Sequence, residues 1–143
     1  MSRKYKVFLD SDVVISALIS NKGASSWIVS QSDLRLVISN YSVKEIEEVI
    51  AKLGIGKNKL NKLINQRIGI VKLTGNLSTI KKDFQKYVSD IDDAHVVAGA
   101  AAGKADFLLS YNLKDYLMDA IKTKLGVLIM TPGRFLQYLR SLN

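Results

Sequence analysis

An aspartate ends the first apolar run of the chain, which reads Val7-Phe8-Leu9-Asp10-Ser11-Asp12-Val13-Val14. Consecutive apolar residues before a helical pattern are typical of a strand that is buried on both faces. Such strands belong to parallel sheets, which bind ligands beyond the carboxyl ends of their strands. We therefore expect Asp10 to emerge at the edge of the sheet where a ligand or a metal ion is held.

Short apolar runs alternate with longer amphipathic ones along the rest of the chain. The pattern predicts strands at 5–9, 34–38, 107–109 and 127–129, with a weaker one at 68–73. Helices are predicted between them, at 12–20, 24–31, 42–53, 57–66, 78–88, 91–102 and 132–141. This order predicts an α/β fold: a single three-layer α/β/α domain over residues 1–143, with a mostly parallel sheet of four to five strands.

Composition limits the classes of function. The chain has 21 Lys and Arg against 13 Asp and Glu, a net charge of +8, which permits binding to a polyanion such as nucleic acid. It has no cysteine, which excludes disulfides and thiolate metal sites. No apolar run reaches membrane-spanning length, and Asp10 and Asp12 interrupt the apolar part that a signal peptide would need. We expect a cytoplasmic protein without a membrane partner. The sequence contains no GxxxxGK phosphate-binding loop, so it gives no support to an ATPase activity.

Four acids lie far apart in sequence, each where a predicted strand ends or a predicted helix begins: Asp10, Glu45, Asp93 and Asp115. Two carboxylates about 4 Å apart repel by roughly 4 kcal/mol at an effective dielectric near 20. A cluster of them must therefore take up protons or bind a cation. Hard divalent ions such as Mg²⁺ or Mn²⁺ prefer oxygen ligands, and they leave open positions for a phosphate and a water.

Each acid also has a structural interpretation. Asp12 and Ser11 can cap the helix that follows Asp10, so the role of Asp12 stays open. Glu45 matches a capping box that begins at Ser42, although it also lies near the apolar stripe of its helix. Asp93 stands in the acidic first turn of an apolar helix, where the helix dipole favours negative charge.

Two oxygen-bearing residues compete for the fourth position of the site. Asn112 and Asp115 both follow the predicted strand 107–109, and Asp115 is the weakly favoured ligand because asparagine is more often a turn or cap residue. His95 is the only histidine, and on an apolar helix it is expected to be packed rather than catalytic. Lysines and leucines interleave over 57–67, which predicts a solvated helix face or, alternatively, a substrate-contacting arm.

The order of these pieces resembles the PIN-domain family. Val7 to Leu18 is similar to the family's opening motif, in which an aspartate ends the first strand. The later pieces follow in the family's order, at 42–45, 92–94, 105–110 and 126–131. The family usually has an aspartate two residues after a Ser or Thr at the strand end, and Asn112 stands there instead. Asp12 replaces the family's more usual asparagine.

The resemblance implies a Mg²⁺ or Mn²⁺-dependent endoribonuclease, such as a VapC-type toxin with a small antitoxin partner, and a homodimer. It implies that the acids Asp10, Glu45 and Asp93, with Asp115 or Asn112, hold the metal and carry out RNA hydrolysis. Lysines, with Arg134 and Arg140 as weaker candidates, would hold the RNA backbone.

Two alternatives stay open. The first is a PIN-like module that binds nucleic acid or a partner protein without cutting, which Asn112 favours because it leaves the expected acid missing. The second is a phosphatase of the haloacid dehalogenase type, because Asp10-Ser11-Asp12 resembles the paired aspartates of that family. That motif normally continues into Gly-Thr, whereas Val13 and Val14 follow here.

Overall fold

A computed structural model describes residues 4–142, and its strands form one sheet in the order β3-β2-β1-β4-β5. The strands are β1 (Lys6–Leu9), β2 (Arg35–Ser39), β3 (Ile68–Val71), β4 (Phe107–Leu109) and β5 (Leu128–Met130). Every neighbouring pair is parallel. The predicted parallel sheet is confirmed, and the weak strand signal at 68–73 corresponds to β3.

Eight α-helices connect or flank the strands in the described residues. They are α1 (Ser11–Ile19), α2 (Ala24–Val29), α3 (Asn40–Lys52), α4 (Lys57–Gln66), α5 (Leu77–Phe84), α6 (Ala94–Ala102), α7 (Met118–Leu125) and α8 (Pro132–Ser141). Single turns of 3₁₀ helix occur at Gln85–Tyr87, Ile91–Asp93 and Leu113–Asp115. No helix was predicted from the sequence at the position of α7, a short helix of which Ile121 is the buried residue.

The helices cover both faces of the sheet, as the strand pattern predicts. Val7 and Leu9 of β1 face a core that includes residues of α1, α2, α3, α4 and α8. Phe8, between them, faces a second core that includes residues of α6 and α7. Alternate residues of a strand point to opposite faces of the sheet, so a strand that is apolar at every position is buried on both faces. The result is the predicted three-layer arrangement.

Gly99 lets α6 lie directly against β1. A Cβ atom at this position would come within 2.6 Å of two ring carbons of Phe8 and 3.3 Å of the Cβ of Ser39. Phe8 is fully buried, so its ring has no room to move aside. The glycine therefore sets the distance between α6 and the sheet, and with it the position of the segment that enters α6.

Two predicted helix caps are wrong. Ser39 caps α3, since its side-chain oxygen accepts a hydrogen bond from the backbone N–H of Ser42 at 3.1 Å. The helix thus begins three residues before the predicted capping box, and Glu45 lies in its second turn. Asp10 itself is the N-cap of α1 and accepts from the Ser11 N–H, so Asp12 lies within the helix.

The basic segment at 57–67 forms α4 and its C-cap. The ammonium group of Lys57 lies 2.9 Å from a carboxylate oxygen of Glu47. The Arg67 guanidinium donates to the backbone carbonyls of Val29 and Gln31, which ties this end of α4 to the end of α2. Arg67 therefore has a structural role. No helix within 4–142 is long and apolar enough to cross a membrane.

Candidate active site

The carboxyl ends of β1 and β4 bring Asp10 and Ser110 together. Leu9 and Leu109 are register partners in these two parallel strands, and the next residues of both strands continue side by side. The Asp10 N–H donates to the Leu109 carbonyl at 2.9 Å. The expected placement of Asp10 at the carboxyl edge of the sheet is therefore confirmed.

Three hydrogen bonds hold the Asp10 carboxylate. The Ser11 backbone N–H donates to Oδ1 at 2.8 Å. The hydroxyl groups of Ser110 and Tyr116 donate to Oδ2 at 2.8 and 2.6 Å. Asp10 is only 8% exposed, and burial raises its pKa above the ordinary value while the three hydrogen bonds oppose that rise. The carboxylate is thus held in one orientation by its surroundings.

Asp12 lies beside Asp10 and holds the loop that follows β4. Its Oδ2 accepts the backbone N–H of Tyr111 at 3.0 Å and the side-chain amide of Asn112 at 3.2 Å. Its Oδ1 is buried and has no hydrogen-bond partner. Burial, followed by the charge of Asp10, raises the pKa of Asp12 to about 6. Asp12 is therefore a structural link with one oxygen still able to accept a bond.

Glu45 reaches the site from α3 and pairs with His95. Its Oε2 lies 3.2 Å from the His95 Nε2, and this hydrogen bond is the largest cause that lowers the pKa of Glu45. His95 is buried, as the sequence predicts for a packed histidine. In addition, it positions a candidate ligand, a role that its lone place on an apolar helix did not reveal.

The surroundings of Asp93 disfavour its negative charge. It ends the 3₁₀ turn before α6 and is half-buried. Burial raises its pKa most, and the charges of Asp10, Asp115, Asp90 and Glu45 raise it further, to about 7. These charges come from widely separated parts of the sequence, so the acids share one electrostatic site. A group in such a site favours a proton or a cation.

Asn112 and Asp115 face different members of this site. The charge of Asp115 acts on Asp93, whereas the side chain of Asn112 is bonded to Asp12. Asp115 is also less exposed than Asn112. The charge of Asp115 is therefore felt at Asp93, and both Asn112 and Asp115 remain predictions as metal ligands.

The donor set fits a hydrated divalent cation better than a fully enclosed one. Within residues 4–142, no three acidic or histidine side chains are placed to bind a single metal ion together. Mg²⁺ commonly keeps several waters and is bound through only one or two carboxylates. The buried, unpartnered Oδ1 of Asp12 and the mutual repulsion at Asp93 are consistent with such an ion.

Tyr116 is a residue of the site that the sequence analysis missed. It is buried, and burial followed by the charge of Asp10 raises the pKa of its hydroxyl. The sequence contains no local signal for this contact, because Asp10 lies 106 residues away.

A family model described as the PIN domain matches residues 6–114. The chain belongs to the PIN-domain family. The match contains Asp10, Glu45, Asp93 and Asn112 and ends one residue before Asp115. The resemblance stated from the sequence is confirmed, and the haloacid dehalogenase alternative loses its support. No curated protein matches this PIN-domain chain in sequence.

Solved structures share the PIN fold at low identity. VapBC2 from Rickettsia felis, bound to a DNA fragment from its promoter, is 13% identical, with a TM-score of 0.62 over 88% of this chain and 98% of the other. A toxin–antitoxin complex from Klebsiella pneumoniae is 17% identical, with a TM-score of 0.64 over 88% and 97%. DNA-bound VapBC from Salmonella typhimurium is 14% identical, with a TM-score of 0.59 over 90% and 98%.

Proposed function

We propose that this PIN domain is a metal-dependent endoribonuclease that hydrolyses RNA phosphodiester bonds. The observation that carries the proposal is that the charges of Asp10 and Glu45, which follow β1 and β2 in the chain, both raise the pKa of Asp93. The net charge of the protein is +8, yet several acids raise one another's pKa at this place. Such a group of like charges favours a bound proton or cation. The proposal treats residues 1–143 as one nuclease domain.

The proposed site residues have separate tasks. Asp10 and Asp93 are the candidate direct ligands of Mg²⁺ or Mn²⁺, with Glu45 and Asp115, or Asn112, completing the site directly or through water. A bound divalent ion would polarise the phosphodiester and lower the pKa of the attacking water. Ser110 and Tyr116 orient Asp10, and His95 orients Glu45. Exposed cations near this edge would bind the RNA backbone through its phosphates.

We further propose that the enzyme is the toxin of a toxin–antitoxin pair. The support is that its fold matches chains of toxin–antitoxin complexes from three bacteria. The proposal includes a small antitoxin protein as partner, a homodimer as the assembly, and the cytoplasm as the place where RNA is cut. Co-expression with a neighbouring small gene product, followed by co-purification, would test the partner.

A module that binds nucleic acid without cutting is the second candidate. Asn112 favours it, because the side chain at this position is neutral and bonded to Asp12. The three hydrogen bonds on Asp10 could equally serve a purely structural aspartate. The same experiment separates the two candidates.

The test is cleavage of single-stranded and structured RNAs with Mn²⁺, with Mg²⁺ and with EDTA. Wild type is compared with Asp93→Asn and with Asp33→Asn, an exposed acid outside the site that serves as the matched control. We expect metal-dependent cutting by wild type and Asp33→Asn and a loss of roughly 100-fold or more in Asp93→Asn, the scale of a removed electrostatic contact in a catalytic site. Folded wild type that cuts no RNA with either ion would instead support the binding module.

A further inference from the structure

We propose that Tyr116 is a positioning residue that makes Asp10 a one-oxygen ligand, and that the site thereby prefers Mg²⁺ or Mn²⁺ over Ca²⁺. The proposal rests on the proposed metal-dependent function. It assigns to Tyr116 a role in choosing the cation, beyond the role of the acids that bind it.

The geometry follows from the acceptor sites of Asp10. An ionised carboxylate has two oxygens and about four lone-pair sites. The hydroxyl groups of Tyr116 and Ser110 occupy both sites of Oδ2, at 2.6 and 2.8 Å. The Ser11 N–H occupies one site of Oδ1 at 2.8 Å. One site of Oδ1 is left, so a cation can bind Asp10 through that oxygen alone.

Burial and backbone hydrogen bonds restrain Tyr116. Tyr116 is 4% exposed and forms an isolated antiparallel bridge with Val88. On either side, the Leu117 N–H donates to the Tyr87 carbonyl and the Ser89 N–H donates to the Asp115 carbonyl, each at 2.9 Å. These bonds join the segment after β4 to the segment that enters α6. Tyr116 therefore stands on a rigid strap that also carries Asp115.

Cation preference is the consequence of this restraint. Ca²⁺ takes six to eight oxygens in flexible geometry and often binds both oxygens of one carboxylate. Mg²⁺ demands near-ideal octahedral geometry at short distances and keeps several waters. A carboxylate that offers a single oxygen in a fixed direction suits the octahedral geometry of Mg²⁺. It does not provide the two-oxygen binding that Ca²⁺ often uses. Removing the Tyr116 hydroxyl would free a site on Oδ2 and relax this discrimination.

A purely structural role for Tyr116 is the competing interpretation, since a buried aspartate needs hydrogen-bond donors in any case. The two interpretations differ in the ratio of cation affinities. A structural loss would weaken the binding of Mg²⁺ and Ca²⁺ together, whereas the positioning role changes one relative to the other. A ratio measured without RNA also does not depend on catalysis.

The experiment is calorimetric titration of wild type, Tyr116→Phe and Tyr87→Phe with Mg²⁺ and, separately, with Ca²⁺, in the absence of RNA. Tyr87 is the matched control because it is buried in the same core and its backbone carbonyl accepts the Leu117 N–H beside Tyr116. We expect Tyr116→Phe to shift the Mg²⁺-to-Ca²⁺ affinity ratio toward Ca²⁺ by roughly tenfold, the scale of one hydrogen bond to a charged group. Tyr87→Phe is expected to keep the wild-type ratio.

Ser110→Ala provides a second variant in case Tyr116→Phe does not fold, because it frees a site on the same Oδ2 atom. It should shift the ratio in the same direction. An unchanged ratio in folded Tyr116→Phe or Ser110→Ala, with wild type binding both ions, would overturn the role of Tyr116 while leaving the proposed nuclease intact. Wild type that binds neither ion would overturn both the role and the metal-dependent function.

Discussion

At the residue scale, the site is built from acids whose surroundings pull their pKa values in different directions. Burial and like charges raise the pKa of Asp93 to about 7 and that of Asp12 to about 6. The hydrogen bond from His95 lowers that of Glu45. An ionised carboxylate that is buried among like charges lowers the stability of the folded state. An ionised carboxylate that accepts a hydrogen bond raises it. The pH dependence of folding therefore reports on the individual acids.

We predict that the metal-free protein loses stability as pH rises from about 4 to about 7. The pKa of Asp93 increases from 3.8 to about 7 on folding, so the folded chain holds a proton that the unfolded chain has already released over this range. Asp12 acts with the same sign up to about pH 6. Glu45 acts with the opposite sign, since its lowered pKa adds stability that is present above its ordinary pKa and is lost as pH falls.

Asp93→Asn should remove much of this slope. After solvent screening, we expect the variant to gain on the order of 1–2 kcal/mol over wild type at pH 8 and little at pH 4. Urea unfolding in EDTA at a series of pH values measures the difference. Asp33→Asn, whose side chain is exposed, should follow the wild-type curve. Parallel curves for wild type and Asp93→Asn would show that Asp93 does not carry the repulsion.

The sequence predicted some of these residues and could not predict others, for a physical reason. Asp10 was found because an acid directly after a buried strand must emerge at the sheet edge. Tyr116 was missed because its partner lies 106 residues away and only the pairing of β1 with β4 brings them together. The choice between Asn112 and Asp115 likewise depends on loop hydrogen bonds that have no signature in the sequence.

At the scale of elements, strand positions follow from short-range patterns and helix starts do not. The five strands were predicted within one or two residues because buried apolar runs have few other interpretations. The start of α3 was misplaced because Ser39 and Ser42 are both good cap residues, and the sequence does not show that the Ser39 side chain accepts the Ser42 N–H.

We predict that Gly99→Ala destabilises the protein through the contact of α6 with β1. The new Cβ would lie 2.6 Å from ring carbons of the fully buried Phe8, and overpacking of this kind costs about 1–3 kcal/mol. Gly133→Ala on α8 is the matched control, since a Cβ there meets nothing within 4 Å. It stands in the first turn of the helix, where a substitution by alanine should change stability by less than about 1 kcal/mol. Chemical unfolding of both variants measures the two effects, and equal effects would contradict the close approach.

At the scale of the whole molecule, acidic and basic side chains are concentrated in different regions. The chain carries +8 overall, while acids gather at the carboxyl edge of the sheet. Lys6, Arg35 and Lys104 line a cavity of about 500 Å³ together with Lys4 and Asp106, where β1 and β2 begin. The acidic site and this basic region therefore lie at opposite ends of β1. An RNA held at the acids needs cations that stand on the same edge.

Of the two arginines that the sequence singled out, the fold places Arg134 nearer to this edge than Arg140. Arg134 lies in the first turn of α8, directly after β5, and lines a cavity with Leu113 of the loop that carries Asn112 and Asp115. Arg140 lies in the last turn of the same helix. A helix rises about 1.5 Å per residue, so the two guanidinium groups start roughly 9 Å apart along its axis. Arg134 therefore stands at the end of α8 that follows the carboxyl end of β5, and Arg140 stands at the other end.

We predict that Arg134→Gln weakens RNA binding and that Arg140→Gln does so much less. Loss of one phosphate contact should lower the slope of log affinity against log salt by about 1. Fluorescence anisotropy of a labelled single-stranded RNA, measured over a salt series in the Asp93→Asn background, gives both affinity and slope without cutting. If the two arginine variants bind alike, the RNA does not run past the start of α8. The backbone would then have to be held from the side of Lys44 and Lys81, which line the cavity beside Glu45.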